Sequence, residues 1–474
     1  MLAFDAPVRP SPPRPMEHDL RHFLRALETE APDLLATVTR EVSTAWEISA
    51  VQMRLQHERR LPVLKFDRVA GHAMPVVTNL YASRRHLALA LGVEPGEVVA
   101  KFAHASAHPV PPRMVDGGPV QDLVRTGADV DLGTLPVPTH CEKDAGPYLS
   151  AGVTIMRHPL TGALNAGIYR NRVLSPTTLT MNMAPMSHGA DTAAAAEAAG
   201  RHVDAAIVLG HHPALGMASQ RRGSAAEFEL GTMGALLGEA VDLVPARTVD
   251  VPVPADAEIV IEGRIRTDLW ETDGPFGDYW LYYSPPRQAR VFEVTAITHR
   301  RDAIFQDVFN VGPEHLVLFS LGMEGQAFQT LAPIIPSLRA IAVPVCGSGN
   351  LVYVQIRKDM EGQGVNAALA ALGAYRFKCA IVVDDDIDIE DDGRVLWAVM
   401  TRTQADRSMF TVPGSYVSRV DPTGYPAWQT PGAAKLLTTR LGIDATRPLD
   451  PSFPEVAEPP HALWTSLNLQ DYLA

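Results

Sequence analysis

Ala151-Gly-Val-Thr-Ile-Met-Arg157 and Leu164-Asn-Ala-Gly-Ile-Tyr-Arg170 are two short runs rich in apolar and β-branched residues. The Pro159 and Gly162 between them mark a turn, so the pair reads as two adjacent strands. The same signal recurs over 205–209, 259–265, 291–298 and 303–309. One clear helix interrupts, the alanine-rich 191–199. Consecutive strands with few helices predict a mostly antiparallel sheet or barrel across 150–310.

On the N-terminal side the pattern alternates. Leu20, Phe23, Leu24 and Leu27 have helical spacing, a strand is expected at 37–42, and a helix near 45–56. Short apolar runs follow at 62–66 and 74–79, and Ser83 is a candidate cap for a helix ending at Gly92. Residues 109–138, rich in Pro, Gly and Asp, read as a linker or wrapped loop. On the C-terminal side, strands are expected at 351–356, 379–383 and 395–402, with a small-residue helix at 364–373. Strand, helix, strand at this spacing predicts a βαβ unit in a further α/β domain. The fold class is therefore α/β in the α+β sense. Its divisions are a proline-rich tail over 1–15, an α/β segment over 16–115, a barrel over 116–315 and an α/β domain over 316–447. A tail over 448–474 with a short helix at 462–467 completes it.

A chain of 474 residues exceeds one core. Hydrophobic content of 46% and charged content of 20% are ordinary for a globular protein. The net charge of −13 argues against nucleic acid or an anionic membrane as partner, because phosphate backbones demand basic patches. Cys141, Cys346 and Cys379 are far apart, which supports neither a disulfide framework nor a zinc ribbon. No uncharged apolar run is long enough to span a bilayer. A cytoplasmic location is expected.

Chemistry-bearing residues concentrate between Asn165 and Asp278. Asn165, His188 and Glu229 offer an amide oxygen, an imidazole nitrogen and a carboxylate, a set suited to Mn²⁺ or Mg²⁺ rather than zinc. Arg170 has the planar fork that clamps a carboxylate. Five residues after Asn165 on one strand it points to the opposite face, so a shared cavity requires a bend after Tyr169. Asp273-Gly-Pro-Phe-Gly-Asp278 is a tight loop that brings two carboxyl groups close together. Each residue also has an ordinary reading: a turn Asn, a satisfied His, a surface Arg, turn-forming aspartates. Gly210-His211-His212-Pro213 reads as a loop, and the acidic run 384–392 as a strand-end turn with a solvated face. Rossmann, P-loop, α/β-hydrolase and zincin motifs are missing from the sequence.

These residues sit among further stretches that together resemble the UbiD family of reversible decarboxylases. The stretches include Asp19-Leu-Arg-His-Phe-Leu24, Asn79-Leu-Tyr-Ala-Ser-Arg84, Leu135-Pro-Val-Pro-Thr-His140 and Lys143-Asp-Ala-Gly-Pro-Tyr148. Asn165 to Arg170, Ser187-His-Gly189, Asp273 to Asp278, Val383-Asp-Asp-Asp-Ile-Asp388 and Gly442-Ile-Asp-Ala-Thr446 continue the series in order. The resemblance implies a split β-barrel that binds prenylated FMN and a C-terminal domain that supports oligomerisation. It implies that Asn165, His188 and Glu229 ligate Mn²⁺ (or Mg²⁺), with K⁺ near Glu229. Ser150, Ser187, Arg170 and Arg440 are implied to line the cofactor, Arg440 at its phosphate. Arg170, Asp273 and Asp278 are implied to be catalytic, with Asp278 the proton donor and Asp273 the partner of Arg170. Expected partners are a carboxylic acid substrate, a flavin prenyltransferase that supplies the cofactor, and further copies of the chain in a homodimer or homohexamer. A non-catalytic flavin-binding protein and a metal-dependent hydrolase stand as alternatives.

Three positions depart from the family pattern. Asp273 stands where Glu is usual, one bond of about 1.5 Å shorter, so a longer contact to Arg170 is expected and Glu271 is a candidate to compensate. Arg440 replaces Lys. Leu281-Tyr282-Tyr283 replaces the usual Gly-Tyr-Tyr.

Overall fold

The two runs of the opening reading become the antiparallel strands Val153–Arg157 and Leu164–Ile168, with Val153 opposite Ile168. The computed structural model describes residues 18–185, 187–223, 227–416, 421–426, 435–468 and 471–472. The expected tail at 1–15 lies outside them. The two strands belong to a nine-stranded sheet. Its path is Tyr148–Leu149, Asn171–Ser175, Thr178–Met181, Arg287–His299, Ile259–Asp273, Val203–Leu209, Val153–Arg157, Leu164–Ile168. Leu123–Thr126 adds to the 287–299 strand, so the expected wrapped loop is partly sheet. The pairings are antiparallel.

Topology closes this sheet. The strands 164–168 and 171–175 are consecutive in the chain yet lie near opposite ends of the path. Tyr169 and Arg170 alone join them, a reach of about 11 Å. A flat sheet would separate them by six strand spacings, about 29 Å. The sheet must therefore roll until its ends meet, which makes it a barrel. Its end strands are not hydrogen-bonded to each other among the described residues, so the barrel is split. Register shifts at Glu262/Gly263 and Ile265/Trp270 in the longest pair bend the wall.

Three expectations are corrected. The 303–309 run is no barrel strand. Only Phe305–Gln306 is extended, and it pairs in parallel with Val76–Val77. It completes the N-terminal sheet of Leu35–Val38, Val63–Phe66 and Val76–Thr78. Residues 395–402 are not a strand but part of the helix Asp392–Arg402. The Asp391 carboxylate accepts from the Gly393 and Arg394 amides, and Val395, Ala398, Val399 and Arg402 form its buried face at helical spacing. The helices Ala214–Ala218 and Glu229–Leu237 were not read from the sequence. Both are buried on almost every side, so no polar stripe marks their period.

The N-terminal segment and the barrel share one continuous apolar core. Arg21 of the helix Leu20–Glu30 fastens them, donating to Glu258 at 2.8 and 3.0 Å and to Asp302 at 2.6 Å. The C-terminal sheet runs Leu338–Ala342, Leu351–Ile356, Cys379–Asp384, Lys435–Asp444, Met409–Tyr416. Leu351–Ile356 and Cys379–Asp384 are parallel, with the helix Gln363–Ala374 between them in sequence, as the βαβ reading requires. Separate cores cover the sheet, one with the helices Pro313–Leu331 and Gln363–Ala374, one with Asp392–Arg402. No helix among the described residues is long and apolar enough to cross a membrane.

Candidate active site

The barrel seam places Arg170. The strand stops at Ile168, and Arg170 makes an isolated bridge to Asn182 before the next strand begins at Asn171. This is the bend that a shared cavity required. The Arg170 Nε and Nη2 donate to Asp273 Oδ2 at 2.9 and 2.6 Å. Its Nη1 lies 3.7 Å from Asp278 Oδ2, and its guanidinium carbon 4.7 Å from the centre of the Phe276 ring. Sequence spacing thus brings all three expected catalytic residues together.

Asp273 ends the 259–273 strand and is fully buried. Thr180 Oγ1 donates to it at 3.0 Å and Asn182 Nδ2 at 2.5 Å. Every partner of its carboxylate is a donor, the arrangement for a fixed negative charge. The short side chain reaches Arg170 without a long contact, contrary to expectation, because strand and seam approach closely. Glu271 is exposed and does not compensate. Asp278 sits at the mouth of the loop, accepting from Ser284 Oγ at 2.5 Å and from the Tyr279 amide at 2.8 Å.

The stretch 143–148 cradles that loop, a role its sequence does not announce. Asp144 accepts from the Gly277 and Cys141 amides, each at 2.8 Å. Ala145 N–H donates to Pro275 at 3.0 Å, and Gly274 N–H donates to the Tyr148 hydroxyl at 3.0 Å. The Tyr148 ring packs 4.5 Å from that of Phe276. Cys141 lies against Gly277, and burial pushes its thiol up to about 12, which removes it as a nucleophile.

A second cluster lies one turn of chain away. Glu229 opens the helix Glu229–Leu237 and accepts from Asn165 Nδ2 at 2.9 Å and Ala166 N–H at 2.7 Å. Burial pushes its carboxyl up to about 7, against the pull of those donors. The Tyr169 hydroxyl donates to Asn165 Oδ1 at 3.3 Å and also meets Ser187 and Gly189. Ser187 caps the helix His188–Ala198 by accepting from Ala190 N–H at 3.2 Å. His188 is the first residue of that helix, half-buried, with no hydrogen bond or ion pair among the described residues. Asn165 and Glu229 thus meet directly, and Tyr169 links Asn165 to the Ser187–Gly189 turn in which His188 lies. An amide, a free imidazole and a buried carboxyl facing a helix N-terminus suit a hard cation bridging to an anion.

Two other expected residues are engaged elsewhere. The Ser150 hydroxyl donates to Asp307 Oδ1 at 2.9 Å, beside a buried His140–Asp307 pair at 2.9 Å. Arg440 donates to backbone carbonyls of its own domain, Leu372, Tyr375 (2.9 Å) and Tyr416 (2.8 Å). No hydrogen bond or ion pair joins it to the barrel clusters among the described residues. His211 and His212 are buried, and burial holds both below the usual imidazole range. They belong to a loop, as read.

Comparison with known proteins agrees with this architecture. Three family models of 3-octaprenyl-4-hydroxybenzoate carboxy-lyase match: the N-terminal domain over residues 27–106, the Rift-related UbiD domain over 113–313 and the C-terminal domain over 317–445. An anhydromevalonate phosphate decarboxylase of Methanothermobacter thermautotrophicus is 32% identical over 432 residues, covering 91% of this chain and 97% of that protein. A protein of the same name from Methanosarcina mazei is 32% identical, covering 88% and 93%. The UbiD-class enzyme HmfF from Pelotomaculum thermopropionicum, in complex with FMN, superposes with a TM-score of 0.88 at 37% identity, over 96% of this chain and 100% of that one. The 3,4-dihydroxybenzoic acid decarboxylase AroY of Klebsiella pneumoniae gives 0.87 at 28%, with the same coverage.

Proposed function

The chain belongs to the UbiD family, and from that premise we propose that it is a carboxy-lyase. It decarboxylates an α,β-unsaturated or (hetero)aromatic acid, reversibly and without net oxidation, on prenylated FMN. The observation that carries the reading is one cation, Arg170, held between a fully buried carboxylate and a mostly buried one.

The residues present fit the cofactor. Asn165, His188 and Glu229 would hold Mn²⁺ or Mg²⁺ and through it the flavin phosphate, beside the N-terminus at Ser187. K⁺ near Glu229 belongs to the same reading. Ser150 would act behind the cofactor wall through Asp307, and Arg440 by bracing its domain rather than by binding phosphate. When bound, the prenylated flavin supplies an electrophilic ring that takes up the electron pair released with CO₂.

The chain's own residues do the rest. Arg170 binds the substrate carboxylate, its orientation fixed by Asp273, Thr180 and Asn182. Asp278 delivers the proton that replaces CO₂, and Ser284 holds its Oδ2 toward the cleft. Supply by a flavin prenyltransferase, assembly as a homodimer or homohexamer, and a cytoplasmic location are part of the same proposal. The test is co-expression with a flavin prenyltransferase, an absorbance spectrum of the purified protein, and a CO₂-release screen over an acid panel. A flavin-loaded protein that releases no CO₂ and exchanges no deuterium into any acid would sink the reading.

A further inference from the structure

A hydrogen-bonded His–Asp pair lies buried beside the cradle of the Asp273–Asp278 loop, and no step of the reaction uses its imidazole. The His140 Nε2 is 2.9 Å from both oxygens of Asp307, and the two residues are 5% and 1% exposed. The His140 Nδ1 has no hydrogen-bond partner among the described residues, so Asp307 alone fixes the polar edge of the ring. Ser150 donates its hydroxyl to Asp307 at 2.9 Å and not to the imidazole, so the three do not make a nucleophile with its base. A buried ion pair contributes little net stability compared with apolar side chains of similar volume. Its presence therefore points to a task besides holding the fold.

That task is found in the cradle itself. Cys141, the residue after His140, donates its amide to one oxygen of Asp144, and Gly277 donates its amide to the other, each at 2.8 Å. A Cβ on Gly277 would meet the Cys141 sulfur at 2.7 Å, so loop and cradle are in full contact. His140 and Asp144 are within electrostatic range of each other. Burial alone would favour a neutral imidazole, but Asp307, with Asp144 adding to it, carries the His140 ring above the usual imidazole value. Burial also pushes the Asp144 carboxyl up, and the Gly277 and Cys141 amides and the His140 charge oppose that rise. Asp307, His140 and Asp144 thus alternate in sign, and the last of them holds the N–H one residue before Asp278.

Resting on the decarboxylase reading, we infer that Asp307 and His140 are positioning residues for proton delivery, acting through Asp144 and the Gly277 amide to set where Asp278 stands. Without the Asp307 charge the imidazole becomes neutral, and Asp144 loses its counter-charge and takes up a proton more readily. A neutral carboxyl accepts the Gly277 N–H more weakly than a carboxylate does. Asp278 then samples positions away from the proton it must deliver. Arg170 is held separately, by Asp273, so the grip on the substrate is unchanged. The loss should fall on kcat and leave KM nearly as it was.

The test uses the flavin-loaded protein and the isosteric variants Asp307→Asn and Asp144→Asn. Hydrogen exchange read by mass spectrometry should show amides over 274–284 exchanging about five-fold or more faster in both variants. The strands Val63–Phe66 and Val76–Thr78, beside which Asp307 is anchored, should stay as protected as in the wild type. With an acid that releases CO₂ in the screen, kcat should fall about ten-fold or more while KM and flavin absorbance hold. One chain of contacts is broken at two points, so the double variant should be no slower than the slower single one. Unchanged exchange over 274–284, additive losses in the double variant, or a rise in KM in place of the fall in kcat overturns the inference. So does loosening of the two strands, which would make the pair a prop of the N-terminal sheet, or loss of flavin, which would assign it to the cofactor wall. Exchange needs no turnover. Loosening confined to 274–284 without CO₂ release from any acid would refute the reaction and keep the positioning chain, whereas release with unaltered exchange would do the reverse.

Discussion

Asp273 shows how a short acid can be held by a close set of donors. Four donor atoms on Arg170, Thr180 and Asn182 surround a carboxylate with no exposed surface. Asp273→Glu adds a methylene to a filled site, and overpacking of this kind costs about 1–3 kcal/mol. Lower thermal stability and weaker turnover are expected together, so an unchanged melting temperature would contradict the packing described. Arg170→Ala should abolish CO₂ release while flavin absorbance persists, and His188→Ala should lose the flavin with its far-ultraviolet dichroism intact. Asp278→Asn should slow decarboxylation by ~10²–10⁴-fold, the usual worth of a positioned acid. Leu281 tells the opposite story. It adopts φ 63°, a left-handed conformation unfavourable to a side chain. Leu281→Gly should stabilise the chain by up to about 1 kcal/mol, checked by chemical denaturation.

Among the elements, the long strands 259–273 and 287–299 carry the barrel's bend at Gly263. A Cβ there would lie 2.1 Å from the Glu293 carbonyl oxygen, a backbone atom that cannot swing away. Gly263→Ala is expected to cost roughly 1–3 kcal/mol and lower the melting temperature, with an unaltered melt the contrary result. What was legible follows from contrast along each element. Leu20–Glu30 has a buried stripe beside a solvated one and was read as a helix, though its spacing was carried on to Leu35, where a strand begins; Arg84–Leu91 was found from its Ser83 and Gly92 ends. Glu229–Leu237 has no such contrast, so the helix that presents Glu229 was invisible even though Glu229 itself was not. Asp392–Arg402 lay hidden in an acidic run whose Asp391 is a cap and whose Asp384 and Asp386 pair with Arg402. The Phe305–Gln306 pairing spans more than two hundred residues and has no local signature. Thr180, Asn182 and Ser284 became site residues only when the strands were laid side by side.

For the molecule as a whole, Glu314 couples folding to pH. It opens the helix Pro313–Leu331 that leads into the C-terminal domain, yet its Oε2 accepts from Asn79 N–H at 2.9 Å in the N-terminal segment. Its Oε1 has no partner, and burial pushes its carboxyl up to about 8 from a usual 4.5. The folded state therefore binds a proton that the unfolded state releases between pH 4.5 and 8. Stability contributed by this group falls as pH rises through that window and is lowest above it. Glu314→Gln keeps the shape without the charge, so it should melt a few degrees above wild type at pH 8.5 and lose that advantage near pH 5. The two-residue seam has a consequence for descent and engineering. The residue proposed to grip the leaving carboxylate is also the stitch that shuts the cylinder, so no insertion can be accepted at Tyr169–Arg170 without reopening the wall. Novel appetites among such proteins must then be written on the opposite bank, in the 279–283 turn and along Pro313–Leu331. Transplanting those two segments between homologues should transfer the diet while the stitch stays untouched.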